Sequence, residues 1–311
     1  MKKVAVTGVS GYIGSGLLSR LEGMENVERV VGVDVKAPKD SSPKLKFYCQ
    51  DISEPLSDIF IENEVDSAVH LAFVLKPTHD KTGARKIDIG GAVNFLEACR
   101  QAQVKHILYL SSHTVYGAHP DNVLPLKEDS PLRPLPGFQY SWDKAQAERE
   151  FGDFATAHND ACVTILRSCP VIGPNAGGSV VTSMFKSIMI FVAGYDPPMQ
   201  FVHEDDLIEL MLTFLSQKKA GIFNVAGDGD IRYSEIARLC RRRAVSVPEK
   251  LLRLLMGVSW ALRLQNESPT SGLEFIKYPP LVSTEKLRSG VGFQFRYSSQ
   301  DAIASFVSAR Q

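Results

Sequence analysis

Short apolar runs alternate with amphipathic stretches over the first two-thirds of the chain. Lys3-Val4-Ala5-Val6 and Arg29-Val30-Val31-Gly32-Val33-Asp34 are β-branched and almost continuously apolar, as strands buried on both faces are. Strand-like runs fall at 3–7, 28–34, 45–48, 66–71, 106–111 and 162–167. Helical spacing of apolar positions separates them at 12–22, 55–63, 84–103 and 140–158. Connections of that length are what parallel pairing requires. The pattern predicts an α/β chain built on a Rossmann-like, doubly wound parallel sheet.

Beyond Pro170 the texture changes. Pro170, Gly173, Pro174, Gly177 and Gly178 punctuate a loop, and 179–193 reads as an apolar helix. A helix over 202–215 and a strand over Gly221–Val225 restore the regular pattern. From 227 onward the chain reads as mostly helical, with a short strand near Leu281-Val282. These shifts predict a dinucleotide-binding domain of 1–169 and 201–226. A smaller, mostly helical C-terminal substrate lobe of 170–200 and 227–311 would close over its crevice.

The first strand runs into Thr7-Gly8-Val9-Ser10-Gly11-Tyr12-Ile13-Gly14, and the next stretch, with Leu17, Leu18 and Leu21, is helical. Glycines there permit a tight turn, close approach of a pyrophosphate and close packing of helix on strand. Phosphate oxygens would meet the free N–H groups at the positive end of the helix. The second strand ends in Asp34, 20 residues beyond Gly14, where a carboxylate can accept hydrogen bonds from a ribose diol. The arrangement predicts NAD. NADP is disfavoured, because the charge of Asp34 would repel a 2′-phosphate; Lys36 and Lys39 soften that argument.

Composition narrows the classes. The 311 residues suffice for a large core, and formal net charge is zero, which argues against nucleic acid or an anionic membrane as partner. Arg241-Arg242-Arg243 is locally basic and reads as a solvated helix end. Five scattered cysteines with no C-x-x-C pair suit reduced thiols and a cytoplasmic protein, and argue against a metal site. Met1-Lys2-Lys3 runs straight into a strand, without a signal-peptide core. The most apolar segment, Leu251–Leu264, contains Arg253 and Arg263 and is too short to span a bilayer. It reads as an amphipathic helix packed on the body, or else as the wall of an apolar substrate pocket.

Tyr140-Ser141-Trp142-Asp143-Lys144 is the second chemical signal. Residues four apart share a helix face, and a cation beside a phenol lowers its pKa. Such a phenol can exchange a proton with an alcohol while hydride moves to or from a nicotinamide. Upstream, the strand ending in Ser111-Ser112 places two hydroxyls at the carboxyl edge of the sheet, where α/β ligands bind. Loop capping is the plainer role for both serines.

Taken together, these pieces resemble an extended short-chain dehydrogenase/reductase of the NAD-dependent epimerase/dehydratase family. The matching residues are Thr7-Gly8-x-x-Gly11-x-x-Gly14, Asp34, Asp51-Ile52, His70-Leu71-Ala72, and Leu110-Ser111-Ser112 with Val115-Tyr116-Gly117. Tyr140-x-x-x-Lys144, Gly173-Pro174, Phe201-Val202-His203-x-x-Asp206 and Phe223-Asn224-Val225 continue it, in family order, over 1–226. The resemblance implies Ser112, Tyr140 and Lys144 as the catalytic set. It implies cofactor contacts from Gly8, Gly11, Tyr12, Ile13, Gly14, Asp34, Asp51, Ile52, Leu71, Ala72, Phe73, Ser111, Tyr140, Lys144, Pro170 and Val171. His203 and Asp206 resemble a structural joint, and dimers form in the family through the helices equivalent to 84–103 and 140–158.

Departures from the family pattern bear on the substrate. Sugar-nucleotide members carry Arg-x-x-Asn, whose Asn contacts the substrate diphosphate; here the motif reads Arg167-Ser168-Cys169-Pro170. The arginine usual before Phe-Val-His is replaced by Pro198-Met199-Gln200, and Lys186 is the one cation between Pro174 and Phe201. Asp88 stands where the family has asparagine in Asn-x-x-Gly. A diphosphate needs charge-assisted donors, so these differences favour an NAD-dependent oxidoreductase acting on a small or moderately apolar hydroxyl or ketone compound. The alternatives are a nucleotide-sugar 4-epimerase or dehydratase that retains its NAD, and a non-catalytic NAD-sensing protein.

Overall fold

The computed structural model describes residues 1–39, 42–177, 188–265 and 268–310. Seven strands form one parallel sheet: β1 (Lys3–Thr7), β2 (Arg29–Asp34), β3 (Leu45–Cys49), β4 (Ser67–His70), β5 (His106–Ser112), β6 (Cys162–Ser168) and β7 (Gly221–Val225). Their order is β7-β6-β5-β4-β1-β2-β3, so the winding direction reverses between β1 and β4. Ligands of such sheets sit at that reversal, outside the carboxyl ends of the strands.

Alternation along β1 explains the two layers. Val4 and Val6 point into one core, with Leu17 and Leu21 of α1 (Tyr12–Glu22) and residues such as Leu210 and Phe214 further along the chain. Ala5 points into the opposite core, among Phe60 of α2 (Ser57–Glu62), Phe95 and Phe151. Helices α3 (Lys81–Arg85), α4 (Gly91–Gln101) and α5 (Gln139–Ala157) follow, with α6 (Glu204–Gln217) entering β7. All three residues of Val4-Ala5-Val6 are fully buried, so no polar side chain fits there without unpaired groups.

One helix reading gains a detail and another needs correction. The stretch read as helix over 84–103 is continuously helical from Lys81 to Gln101, but a wider π segment, Lys86–Gly90, joins α3 to α4 and carries the buried Asp88. Of 179–193, residues 188–192 form a strand, parallel to Arg243–Val247. Met189 and Phe191 are buried while Ile188 and Ile190 are exposed, the period of two that a strand requires. Residues 179–187 of that reading, with Lys186, lie outside the described residues, and Ala193 already belongs to the turn that follows the strand. The region beyond β7 also carries a two-residue strand, Ile231–Arg232, antiparallel to Pro198–Met199, and is otherwise mostly helical, comprising α7 (Tyr233–Leu239), α8 (Glu249–Ala261), α9 (Leu273–Lys277), α10 (Glu285–Val291) and α11 (Ser299–Ser308). Near Leu281-Val282 the chain makes an isolated parallel bridge to Leu126. Among the described residues no helix is long and apolar enough to cross a membrane.

His203 and Asp206, at the start of α6, tie this region to the helix that leads into β7. His203 caps α6, accepting from the Asp205 N–H at 3.1 Å, and stacks on Tyr297 with centroids 3.8 Å apart. The buried Asp206 carboxylate accepts from the Arg296 N–H, the Arg296 Nε and the Tyr297 N–H, at 2.9, 2.9 and 3.0 Å. Neither residue is free for chemistry.

Candidate active site

At the reversal point the glycine turn is held by the strands beside it. The Gly8 N–H donates to the Val33 carbonyl at 2.8 Å, and the Gly11 N–H to the Gly8 carbonyl at 3.0 Å. Gly8 has a φ of +73°, and a Cβ there would lie 2.7 Å from the Ala72 backbone nitrogen. A Cβ on Gly14 would collide with the Gly8 carbonyl oxygen. The loop is therefore a cradle that side chains would fill. Gly11 starts α1 with no side-chain cap and no acid in the first turn, so the positive helix end faces the cradle uncompensated.

Around that cradle the other predicted cofactor residues divide by what they touch. Asp34 accepts from the Ser10 N–H at 3.1 Å and the Lys36 N–H at 3.2 Å, at the carboxyl end of β2. Leu71 and Ala72 lie against the loop, the Leu71 N–H donating to the Thr7 carbonyl at 3.2 Å. Asp51 accepts from the Ser53 N–H at 2.8 Å, whereas the Ile52 side chain is buried under Gly91 of α4. Ile13 is partly buried against the α1 core. The Tyr12 hydroxyl is engaged by the buried Glu204, and the Ser111 hydroxyl donates to buried Glu148 at 2.8 Å. Pro170 accepts from the Val202 N–H at 3.1 Å, and Val171 pairs with Val202. Hydrogen bonds to buried carboxylates thus occupy the Tyr12 and Ser111 hydroxyls, strand pairing holds Pro170, and core contact takes the Ile52 side chain.

Tyr140, Lys144, Phe73 and Ser112 converge near the carboxyl ends of β4 and β5. The Phe73 and Tyr140 rings meet edge to face, 5.7 Å between centroids. Lys144 Nζ lies 3.7 Å from the Phe73 centroid and 4.8 Å from that of Tyr109, and donates to the Leu110 carbonyl at 2.7 Å. Its distance to the Tyr140 centroid is 6.0 Å. Ser112 is buried and caps the following turn, accepting from the Thr114 N–H at 3.2 Å.

The electrostatics reverse the expectation for the phenol. Burial pushes the Tyr140 hydroxyl up to about 12, opposed by a hydrogen bond with Ser112 and reinforced by Asp88. Lys144 is pulled down to about 7 by burial, against the attraction of Asp88 and Glu148. The Lys144 amine donates to a backbone carbonyl, and burial weakens its hold on a proton, so it opposes the rise of the phenol less than spacing alone suggests. Asp88 is raised to about 7 by burial, partly offset by the Val74 N–H, which it accepts at 2.7 Å, and by Lys144. The site thus holds a protonated phenol beside two groups that titrate near neutrality.

Tyr140, Asp88 and Asp143 open onto a cavity of about 130 Å³. Val74, Pro77, Phe138, Trp260 and Pro269 give it apolar walls, with Lys76 and Lys81 also lining it. Trp260 reaches it from α8 and stacks on His79, centroids 4.2 Å apart.

The model of the NAD dependent epimerase/dehydratase family matches residues 4–226. This chain belongs to that family. An uncharacterized protein of Mycobacterium tuberculosis is 28% identical, across 99% of this chain and 84% of its own length. A UDP-glucose 4-epimerase of Lactobacillus helveticus is 28% identical, across 72% of this chain and 76% of its own. Among solved structures, MoeE5 in complex with UDP-glucuronic acid and NAD superposes with a TM-score of 0.78 at 21% identity, covering 99% of this chain and 98% of that one. The UDP-glucose 4-epimerase of Thermotoga maritima gives 0.77 at 19% identity, with the same coverage.

As a member of this family the chain is an NAD-dependent enzyme of the extended short-chain dehydrogenase type, and the cradle at Gly8, Gly11 and Gly14 fits the dinucleotide. Sequence reading missed the polar network beneath the site. Glu148 and Arg167, both buried, form an ion pair; Arg167 also donates to the Tyr116 hydroxyl at 2.7 Å, and Tyr116 donates to Asn224 at 2.8 Å. Tyr116 and Asn224 do fall in family motifs, but nothing local marks Glu148 as their partner.

Proposed function

We propose that this protein transfers hydride between a bound nicotinamide and a small or moderately apolar hydroxyl or ketone substrate, with Tyr140 as acid/base. The observation that carries the reading is that Tyr140, hydrogen-bonded to Ser112 and with Lys144 Nζ 6.0 Å from its ring centroid, opens onto a small, mostly apolar cavity. Gly8, Gly11, Gly14 and Leu71-Ala72 would hold the phosphates, Asp34 a ribose, and Lys144 the nicotinamide ribose. When bound, NAD supplies the hydride acceptor or, reduced, the donor. The chain's own residues handle the proton. With its proton held up to about 12, Tyr140 is set to donate from its phenol oxygen to a ketone oxygen at neutral pH. The reverse direction needs the phenolate to take the alcohol proton, so it is favoured as the pH rises towards the raised phenol, and Ser112 would hydrogen-bond the substrate oxygen in either direction.

Residues 170–200 and 227–311 are the proposed substrate lobe. A cytoplasmic location fits five free thiols, and a homodimer through α4 and α5 fits the exposed Val93 and Trp142 on those helices. Nothing in the zero net charge calls for nucleic acid.

Likeness to a UDP-glucose 4-epimerase favours a second reading, a nucleotide-sugar epimerase or dehydratase. Against it, the positions where diphosphate ligands belong are spent elsewhere. Gln200 accepts from the Val282 N–H at 2.8 Å and donates to the Val282 carbonyl at 3.2 Å, and Pro170 bonds to Val202. The test is the melting temperature in saturating NAD, with and without millimolar UDP. A ligand at 100 times its dissociation constant adds about 2.7 kcal/mol. We expect a rise with NAD and none beyond it with UDP; a further rise with UDP would overturn the first reading in favour of the second.

A further inference from the structure

Helix α8 presents two apolar faces. Inward, Leu252 is buried and Met256 packs with it against Val192 and Leu273. Outward, Leu251, Leu254, Leu255, Val258, Leu262 and Leu264 stand between 47% and 74% exposed. The first five follow i, i+3, i+4, i+7 and i+11, a single stripe along the helix. Isolated exposed leucines are ordinary, but a contiguous ridge of them on one helix calls for something to cover it.

The charges around the ridge indicate what covers it. Lys250 and Arg263 flank it at either end. Both are exposed, and neither makes an ion pair among the described residues, whereas Arg253 on the inner side pairs with Glu249 and Glu274. The exposed apolar stripe is therefore bracketed by two unpaired cations, a local excess that the zero net charge of the chain conceals. We propose that α8 and its basic flanks form a docking surface for an anionic lipid bilayer, the leucine ridge entering the headgroup boundary while the cations meet lipid phosphates. A second copy fits less well, because an isologous contact through this ridge brings the same cations face to face. Trp260, on the inner side of the helix, lines the cavity at Tyr140, so one helix joins this surface to the proposed site. The docking does not depend on the hydride-transfer reading.

The experiment is co-sedimentation of the NAD-loaded protein with vesicles of phosphatidylcholine alone and of phosphatidylcholine mixed with phosphatidylglycerol. We expect binding to the anionic vesicles only, weakened by salt and lost in the double variant Leu254→Glu, Val258→Glu. Replacing Lys250 or Arg263 by Ala should weaken binding about fivefold each. An unchanged melting temperature and NAD response would show that the variants are folded; the Lys250→Ala and Arg263→Ala variants, which leave the apolar stripe intact, carry the test should the glutamates unfold the protein. Absence of binding to anionic vesicles overturns the proposal, as does binding that ignores these substitutions. So does a dimer in solution that the glutamate variants dissociate while vesicle binding is absent, which would give the ridge to a second copy.

Discussion

Replacing Asp88 with Asn changes one buried proton and little else. The amide is nearly isosteric with the carboxyl group and can still accept from the Val74 N–H. In the folded chain Asp88 is raised from an ordinary 3.8 to about 7, with burial the largest cause. The folded state therefore binds more protons than the unfolded state across this window. The stability Asp88 contributes is fully present below about pH 4 and is lost as the pH climbs towards 7. Roughly three pH units at about 1.4 kcal/mol each give a loss on the order of 4 kcal/mol. At about 2 °C per kcal/mol for a chain of this size, that is several degrees of melting temperature. Lys144 works the opposite arm: lowered to about 7 from 10.5, its contribution is regained as the pH rises from 7 towards 10.5. Melting temperatures of wild type and Asp88→Asn, recorded from pH 4.5 to 9 without NAD, isolate residue 88 by difference. The variant should gain on the wild type steadily from pH 4.5 to 7. Parallel curves would refute the reasoning, and with it the claim that a buried carboxyl at this position titrates near neutrality.

Three further outcomes follow from the same geometry. Gly14→Ala pushes a methyl into the Gly8 carbonyl and should cut NAD affinity at least tenfold by calorimetry, a result that unchanged affinity would contradict. Asp34→Ala should narrow the ratio of NADP to NAD dissociation constants; a constant ratio would mean that another group selects the cofactor. Arg167→Met strands Glu148 as a buried charge and should cost about 3–5 kcal/mol in urea unfolding, much of it recovered in the double variant Arg167→Met, Glu148→Gln. No recovery in the double variant would show that packing, and not the ion pair, is what was removed.

What could be read from the sequence was local. The β1–turn–α1 unit needs only neighbouring residues to specify it, and the steric demands at Gly8 and Gly14 are written in their spacing. Tyr140 and Lys144 do share a helix face, yet burial raises the phenol where spacing alone predicts that it falls, because their surroundings include Phe73, Tyr109 and Asp88, which arrive from other elements. The strand at Ile188–Val192 read as helix for a related reason: an unbroken apolar run has no period, and its partner lies at Arg243–Val247. The Glu148–Arg167–Tyr116–Asn224 network joins α5, β6, the turn after β5 and β7, so no window along the chain contains it.

Helix α8 shows the limit most sharply. Its periodicity announces apolar stripes but not which one the body will take. Leu252 and Met256 satisfy the inner contacts, and Trp260 closes the cavity. The ridge from Leu251 to Leu262 is then surplus to folding: burying it would add favourable apolar area, yet no described residue of this chain covers it. A stripe that folding does not use, with an unpaired cation at each end, is better explained by a surface outside the molecule than by the fold.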